Sequence, residues 1–257
     1  MLIDVTDSDD PRLQDFARLR DAQLRRTERR FIAEGFKIIE RAFAAGCVPR
    51  ALLLQQRWLD GLAPLLEAHP DVPVYRASEA FIETVSGFHV HRGALGSFDR
   101  PEEAQWAEIL DGRRVIVCED IVDHANLGAI IRLAAGLGWD ALLLSPGAAD
   151  PLYRRALKAS MGASLVLPWR RMAGISDLAA LRDAGFRLVA TTLSDSSIDL
   201  AQYRCDEKVA LLLGTEGVGL SQAWTELAEV HLRIPITDKV DSLNVATAAA
   251  IFAYALG

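Results

Sequence analysis

The sequence predicts an α/β protein: a C-terminal domain built on a parallel sheet with helices on both faces, preceded by a smaller α/β domain. Three observations predict it. Short, nearly continuous apolar runs recur through the second half, at Val115-Ile-Val-Cys118, Ala141-Leu-Leu-Leu144, Ser164-Leu-Val-Leu167, Arg187-Leu-Val-Ala190, Val209-Ala-Leu-Leu-Leu213 and His231 to Ile236. Helix-like stretches separate most of them, and strands apolar on both sides that alternate with helices belong to a sheet covered on both faces. Between Phe98 and Gln105 the apolar pattern breaks at Asp99-Arg-Pro-Glu-Glu103, which reads as a linker or an exposed helix start. The expected boundaries are a first domain over 1–100, a linker over 101–110 and a second domain over 111–257.

The elements of the first domain follow in order. Phe31, Ile38, Ile39, Ala42 and Phe43 have helical spacing with Gly46 as a stop, and Ala51 to Leu54 is a short buried strand. Trp58 to Ala68 is a second amphipathic helix and Val72 to Tyr75 a second strand. Ser78 to Val85 is a third helix, with Ser78 suited to cap it.

Composition bounds the function. The chain has 257 residues, 51% of them hydrophobic, enough for one large core or two moderate ones. Met1 to Asp10 is acidic and polar, unlike a secretory signal, and no apolar stretch approaches the roughly 20 residues that span a bilayer, so a cytoplasmic location is expected. Cys47, Cys118 and Cys205 are scattered without disulfide or zinc spacing, and His89 and His91 have no Cys, Asp or Glu nearby to complete a metal set. No metal is expected. The net charge of −7 opposes nucleic-acid binding at long range, yet the stretch from Arg12 to Arg57 holds eleven basic residues against five acidic ones. Arg25, Arg26, Arg29 and Arg30 recur at i, i+4 and on a helix would share a face. That face reads either as a solvated, salt-bridged surface or as an RNA-contacting patch.

Three motifs carry the chemistry, each joining an apolar strand to a helix through Gly or small polar residues. In the first, strand 115–118 leads through Asp123, His124 and Asn126 to a helix starting near Gly128, with Arg132 one turn further on the same face. A lone helix Arg is ordinarily an exposed ion pair. The second, Leu213-Gly-Thr-Glu-Gly-Val-Gly-Leu-Ser221, is a Gly-rich loop carrying Glu216, where backbone can approach a ligand. The third runs from Ile234-Pro-Ile236 through a polar turn to Ser242-Leu-Asn244 and an Ala-rich helix, for which Ser242 suits the N-cap position.

In order and spacing these motifs closely resemble those of the SpoU (TrmH-type) branch of the SPOUT RNA methyltransferases. Arg30-Phe-Ile-Ala-Glu-Gly35 before an apolar helix resembles the L30e-like substrate-binding domain that precedes many SpoU domains, with His91-Arg-Gly93 as its closing strand. The resemblance implies methyl transfer from S-adenosylmethionine to an RNA ribose 2′-hydroxyl, in ribosomal or transfer RNA, by a homodimer whose C-terminal segment is threaded through a trefoil knot. It places Arg132 as the catalytic Arg, with Asn126, Glu216, Ser242 and Asn244 around the reacting nucleotide. It places Gly214, Ile234 and Leu243 on the cofactor. His124-Ala125 stands where relatives often have Pro-Gly. A non-catalytic RNA-binding module or a base-modifying SPOUT enzyme is the alternative, and an NAD-dependent oxidoreductase lacks its Gly-x-Gly-x-x-Gly turn after strand 115–118.

Overall fold

A computed structural model of the chain describes residues 1–17, 29–90, 93–194, 196–204 and 207–257. The chain divides into two units, Met1–Glu102 with Leu152–Leu165, and Glu103–Pro151 with Val166–Gly257.

In the first unit, strands β1 (Leu2–Asp4), β2 (Arg30–Glu34), β3 (Pro49–Leu54), β4 (Val74–Arg76) and β5 (Ala94–Asp99) form one sheet in the order β1-β4-β3-β5-β2. β1 and β3 run parallel to β4, whereas β5 is antiparallel to both β3 and β2. Helices α1 (Phe36–Ala44), α2 (Leu59–Ala68) and α3 (Glu79–Ser86) connect them. α3 begins as its sequence predicts, with the Ser78 hydroxyl accepting the Phe81 N–H at 3.2 Å.

Several expectations are corrected here. Phe31 does not belong to the helix of Ile38 and Phe43: it lies on β2, stacked on Phe98 of β5 with ring centroids 5.5 Å apart. Gly35, at φ 95°, breaks the backbone between strand and helix. Of the strand expected at 91–93, His91 and Arg92 lie outside the described residues and Gly93 precedes the strand Ala94–Asp99, of which Phe98 and Asp99 are the end rather than linker. Of the basic face expected over Arg25, Arg26, Arg29 and Arg30, the last two do not lie on a helix. Arg25 and Arg26 lie outside the described residues, Arg29 has φ 45°, and Arg30 is a buried strand residue. Arg30 is ion-paired to Asp15, whose carboxylate also accepts the Arg50 Nε–H at 3.0 Å and the Ser97 hydroxyl at 2.7 Å. A buried paired guanidinium has no face left for RNA.

In the second unit β6 (Arg114–Cys118), β7 (Ala141–Leu144), β8 (Trp169–Arg171), β9 (Phe186–Thr191), β10 (Ile198–Asp199), β11 (Lys208–Leu213) and β12 (Val230–Arg233) form a parallel sheet. Its order is β10-β12-β9-β11-β6-β7-β8. The connecting helices are α4 (Trp106–Asp111), α5 (His124–Gly136), α6 (Arg154–Ala159), α7 (Leu178–Asp183), α8 (Gln222–Leu227) and α9 (Val245–Leu256), of which α6 lies in the first unit and packs on β2. On one face Val115, Val117, Leu143, Leu188 and Leu212 share a core with Ile109, Leu178, Leu181 and Trp224 from the helices. Ile116, Leu142 and Leu211 alternate with these along their strands and are also fully buried, so both faces are covered.

Ser164 to Leu167 is not a strand: Ala163–Leu165 is a 3-10 turn with Ser160 and Ser164 hydroxyls 3.0 Å apart, and Val166 is exposed. The ladder to β7 starts only at the Pro168 carbonyl, which accepts the Leu142 N–H at 2.9 Å.

Candidate active site

The sheet reverses its direction of growth between β11 and β6, and the loops leaving the C-terminal ends of those two strands diverge there. Such a switch point is where open α/β sheets bind ligands. The two loops are tied together: the Glu119 N–H donates to the Leu213 carbonyl at 2.8 Å, and the Glu119 carboxylate accepts the Ser221 N–H at 2.8 Å. Asp120 takes φ 48°, an uncommon backbone for a non-glycine residue, and is held there by Ser145, whose hydroxyl accepts the Asp120 N–H at 2.8 Å and donates to its carboxylate at 2.5 Å. α5 starts at His124, a turn earlier than Gly128, because the Asp123 carboxylate accepts the N–H groups of Ala125 and Asn126 at 2.8 and 2.9 Å. That start puts Asn126 in the first turn.

The Gly-rich loop after β11 closes on itself through reciprocal Thr215 and Gly219 backbone bonds of 3.0 Å. Gly214 must be glycine, since a Cβ there would lie 2.1 Å from the Gly219 carbonyl carbon and the Leu220 nitrogen. The closure carries Glu216 outward to the other two motifs. Its Oε1 accepts from Asn126 Nδ2 at 2.8 Å and from Asn244 Nδ2 at 2.6 Å, and Asn244 Nδ2 also reaches Asn126 Oδ1 at 3.0 Å. Asn244, not Ser242, caps the last helix: its Oδ1 accepts the N–H groups of Ala246 and Thr247 at 3.0 and 3.2 Å. Residues 118 positions apart in the chain thus meet on one carboxylate.

Beside this junction lies a cavity of about 450 Å³ at the C-terminal ends of β9, β11 and β12. Gly214, Glu216, Ile234, Ser242 and Leu243 all line it, whereas Asn126 and Asn244 reach it through Glu216. Thr191 to Ser194, His231 and Phe252 line it too, none singled out by sequence. The position of Thr191 to Ser194, directly after an apolar strand as in the three motifs, was the available signal. Arg132 is exposed on α5, outside the cavity lining, and among the described residues no hydrogen bond or ion pair engages it. Cys118, at the end of β6, is inert: burial pushes its thiol far above the ordinary value.

The SpoU rRNA Methylase family model matches residues 113–254, the stretch that contains the sheet, the junction and the cavity. The chain belongs to the SpoU rRNA methylase family. Residues 10–94 match the MRM3-like substrate binding domain, so this SpoU protein has a substrate-binding unit in front of its catalytic one. It is 42% identical over 260 residues to an uncharacterized tRNA/rRNA methyltransferase of Mycobacterium tuberculosis, an alignment covering 98% of this chain and 90% of the relative. Identity to the 23S rRNA (guanosine(2553)-2′-O)-methyltransferase of Bacillus subtilis is 26%, covering 95% of each. The crystal structure of an AdoMet-bound rRNA methyltransferase from Sinorhizobium meliloti superposes with a TM-score of 0.84 at 28% identity, covering 99% of this SpoU chain and 97% of the other. These likenesses run through both units.

Proposed function

We propose that this SpoU protein transfers a methyl group from S-adenosylmethionine to a ribose 2′-hydroxyl of a structured ribosomal or transfer RNA. The observation that carries the reading is the meeting of Asn126, Glu216 and Asn244 at the rim of the cavity. The cavity suits the cofactor: its volume falls within the range of small-ligand pockets, aliphatic Ile234 and Leu243 can flank an adenine, and the glycine loop offers bare backbone. Gly214, Ile234 and Leu243 are the residues that would hold it. Bound there, S-adenosylmethionine supplies an electrophilic sulfonium methyl.

The chain's own residues have the remaining task, which is to orient a weak nucleophile that must lose its proton as it attacks. Guanidinium stays protonated, so Arg132 grips an RNA phosphate and aligns the hydroxyl by a two-pronged contact. Glu216, oriented by the two amides, and Ser242 face the nucleotide. Arg29 is exposed and bridges to Glu102, and as an RNA contact it would act on affinity alone. The enzyme works as a homodimer in the cytoplasm, with the segment 234–244 as the threaded tail of a trefoil knot. Exposed Ile251 and Tyr254 on α9 favour that dimer. Among the described residues no helix is long and apolar enough to cross a membrane, and no group of His, Cys, Asp or Glu is placed to hold a metal.

Mapping 2′-O-methyl positions in total RNA from parent and deletion strains, then repeating the transfer with purified protein and labelled cofactor, tests the reading. One mark should vanish and be restored in vitro. An unchanged methylation map together with no transfer to any RNA would overturn it.

A further inference from the structure

The first unit carries a feature that its core does not need. Phe36, the first residue of α1, and Trp58, at the end of the 3-10 turn Gln56–Trp58, stack with ring centroids 5.3 Å apart and planes 27° apart. Both rings are only half-buried, and no residue of that turn is buried. Lys37 Nζ lies 5.4 Å from the Phe36 ring centroid and the Arg57 guanidinium 5.2 Å from that of Trp58, so each ring of the pair has an adjoining cation. Gly61 permits it, since a Cβ there would lie 2.8 Å from Phe36 Cε2.

The two cations are weakly committed. Lys37 meets Glu40 at 2.7 Å and Arg57 meets Glu79 at 3.8 Å, with the basic side chains 70% and 50% exposed. Exposed pairs of this kind contribute little, and a phosphate competes well for either cation. α1 has no side-chain cap and no acidic residue in its first turn, so the carboxylates an anion would displace are Glu40 and Glu79 alone among those paired to the two cations. Aromatic faces flanked by exchangeable cations are what single-stranded nucleic acid requires, because bases stack while the backbone needs neutralising.

We infer that Phe36 and Trp58 form a stacking platform for an unpaired nucleobase of the RNA substrate, with Lys37 and Arg57 on the adjoining phosphates. The inference rests on the RNA methyl-transfer reading and deepens it: the first unit holds a single-stranded nucleotide of the substrate, not a duplex. Bases within a duplex are already stacked on their neighbours and cannot offer a face to a ring. Every base has such a face, so the platform sets strandedness rather than sequence.

The test uses the full chain and an eight-nucleotide oligoadenylate RNA, single-stranded or paired with its complement, followed by tryptophan fluorescence. Trp139, Trp169 and Trp224 are buried, so contact can reach Trp58 and the half-buried Trp106, and the Trp58→Phe variant tells the two apart. The single strand should quench and the duplex should not. Trp58→Phe should lose the quench while keeping most of the affinity, and Trp58→Leu should weaken binding about tenfold. Lys37→Gln with Arg57→Gln, both surface changes that leave the fold alone, should flatten the salt dependence of binding. Equal quenching by the duplex, parent-like affinity in folded Trp58→Leu, or an unaltered salt slope would each overturn the platform. Methyl transfer assayed on the same preparations separates the two readings: transfer with parent-like Trp58→Leu binding sinks the platform alone, and quenching without transfer to any RNA sinks the enzymatic reading alone.

Discussion

Asn244 performs two tasks with one carboxamide: its oxygen caps α9 and its nitrogen grips Glu216. Serine separates them, because its hydroxyl caps about as well but is too short to reach the carboxylate. Asn244→Ser should therefore change stability by less than about 0.5 kcal/mol in a thermal melt, yet lower the single-turnover methyl-transfer rate about tenfold or more, in keeping with the loss of an orienting contact. A rate equal to the parent's would show that Glu216 needs no such support. For Arg132, exposed and unengaged among the described residues, alanine should cost about 100-fold in rate with little change in cofactor affinity, as expected for a charge used in the transition state. Arg132→Lys should fail nearly as badly, since a point charge cannot reproduce a planar fork. Near-parent rates for Arg132→Ala would falsify its assignment. The sequence exposes these residues as types at strand ends, but their mutual bonds span 90 and 118 positions and leave no local trace.

Among elements, legibility followed burial. The strands β6, β7, β9 and β11 are apolar runs because both faces of the sheet are covered, and their positions are readable to within a residue or two. β5 is harder to read: Ala94-Leu-Gly-Ser-Phe-Asp99 mixes small and polar residues, since Ser97 is buried against Asp15 and Gly96 leaves room for Phe98. Asp15 itself is invisible as a structural node, being one acidic residue in a basic stretch. It joins the segment around the 3-10 turn Pro11–Leu13 to the sheet through Arg30, Arg50 and Ser97. Burial alone would raise its carboxyl, but the Ser97 and Arg50 hydrogen bonds and the charges of Arg30 and Arg50 outweigh this and hold it below the ordinary carboxylate range. A depressed carboxyl stabilises the fold fully above its unfolded value and loses that contribution as the pH falls through the folded one. Asp15→Asn should cost about 3 kcal/mol at neutral pH by removing a carboxylate that pairs with the buried Arg30 guanidinium. The gap between variant and parent, measured by urea melts, should narrow as the buffer is taken below about pH 4. A gap independent of pH would remove Asp15 from the ion-pair role.

For the whole molecule, the chain crosses between its units more than once, because residues 152–165 leave the catalytic unit to pack with α6 on β2. No apolar or charge signal in that segment announces the excursion, so it could not be read from sequence. Tyr254 is 80% exposed and Ile251 40% exposed on a helix otherwise rich in small residues, an arrangement suited to close packing against a copy of itself. Sedimentation of the parent at micromolar concentration should give a dimer, and Tyr254→Asp a shift toward monomer with loss of transfer; a fully active monomeric parent would end the proposal. A chain under synthesis has made Asn126 long before it makes Asn244, and the sheet strands through β12 precede the cap as well. Until Asn244 and the first turn of α9 have emerged, nothing from that end holds Glu216, however well the rest has folded. On the proposed reading, a product interrupted before Asn244 would keep its sheet and its Gly-rich loop but leave Glu216 without its second amide, and would not transfer methyl.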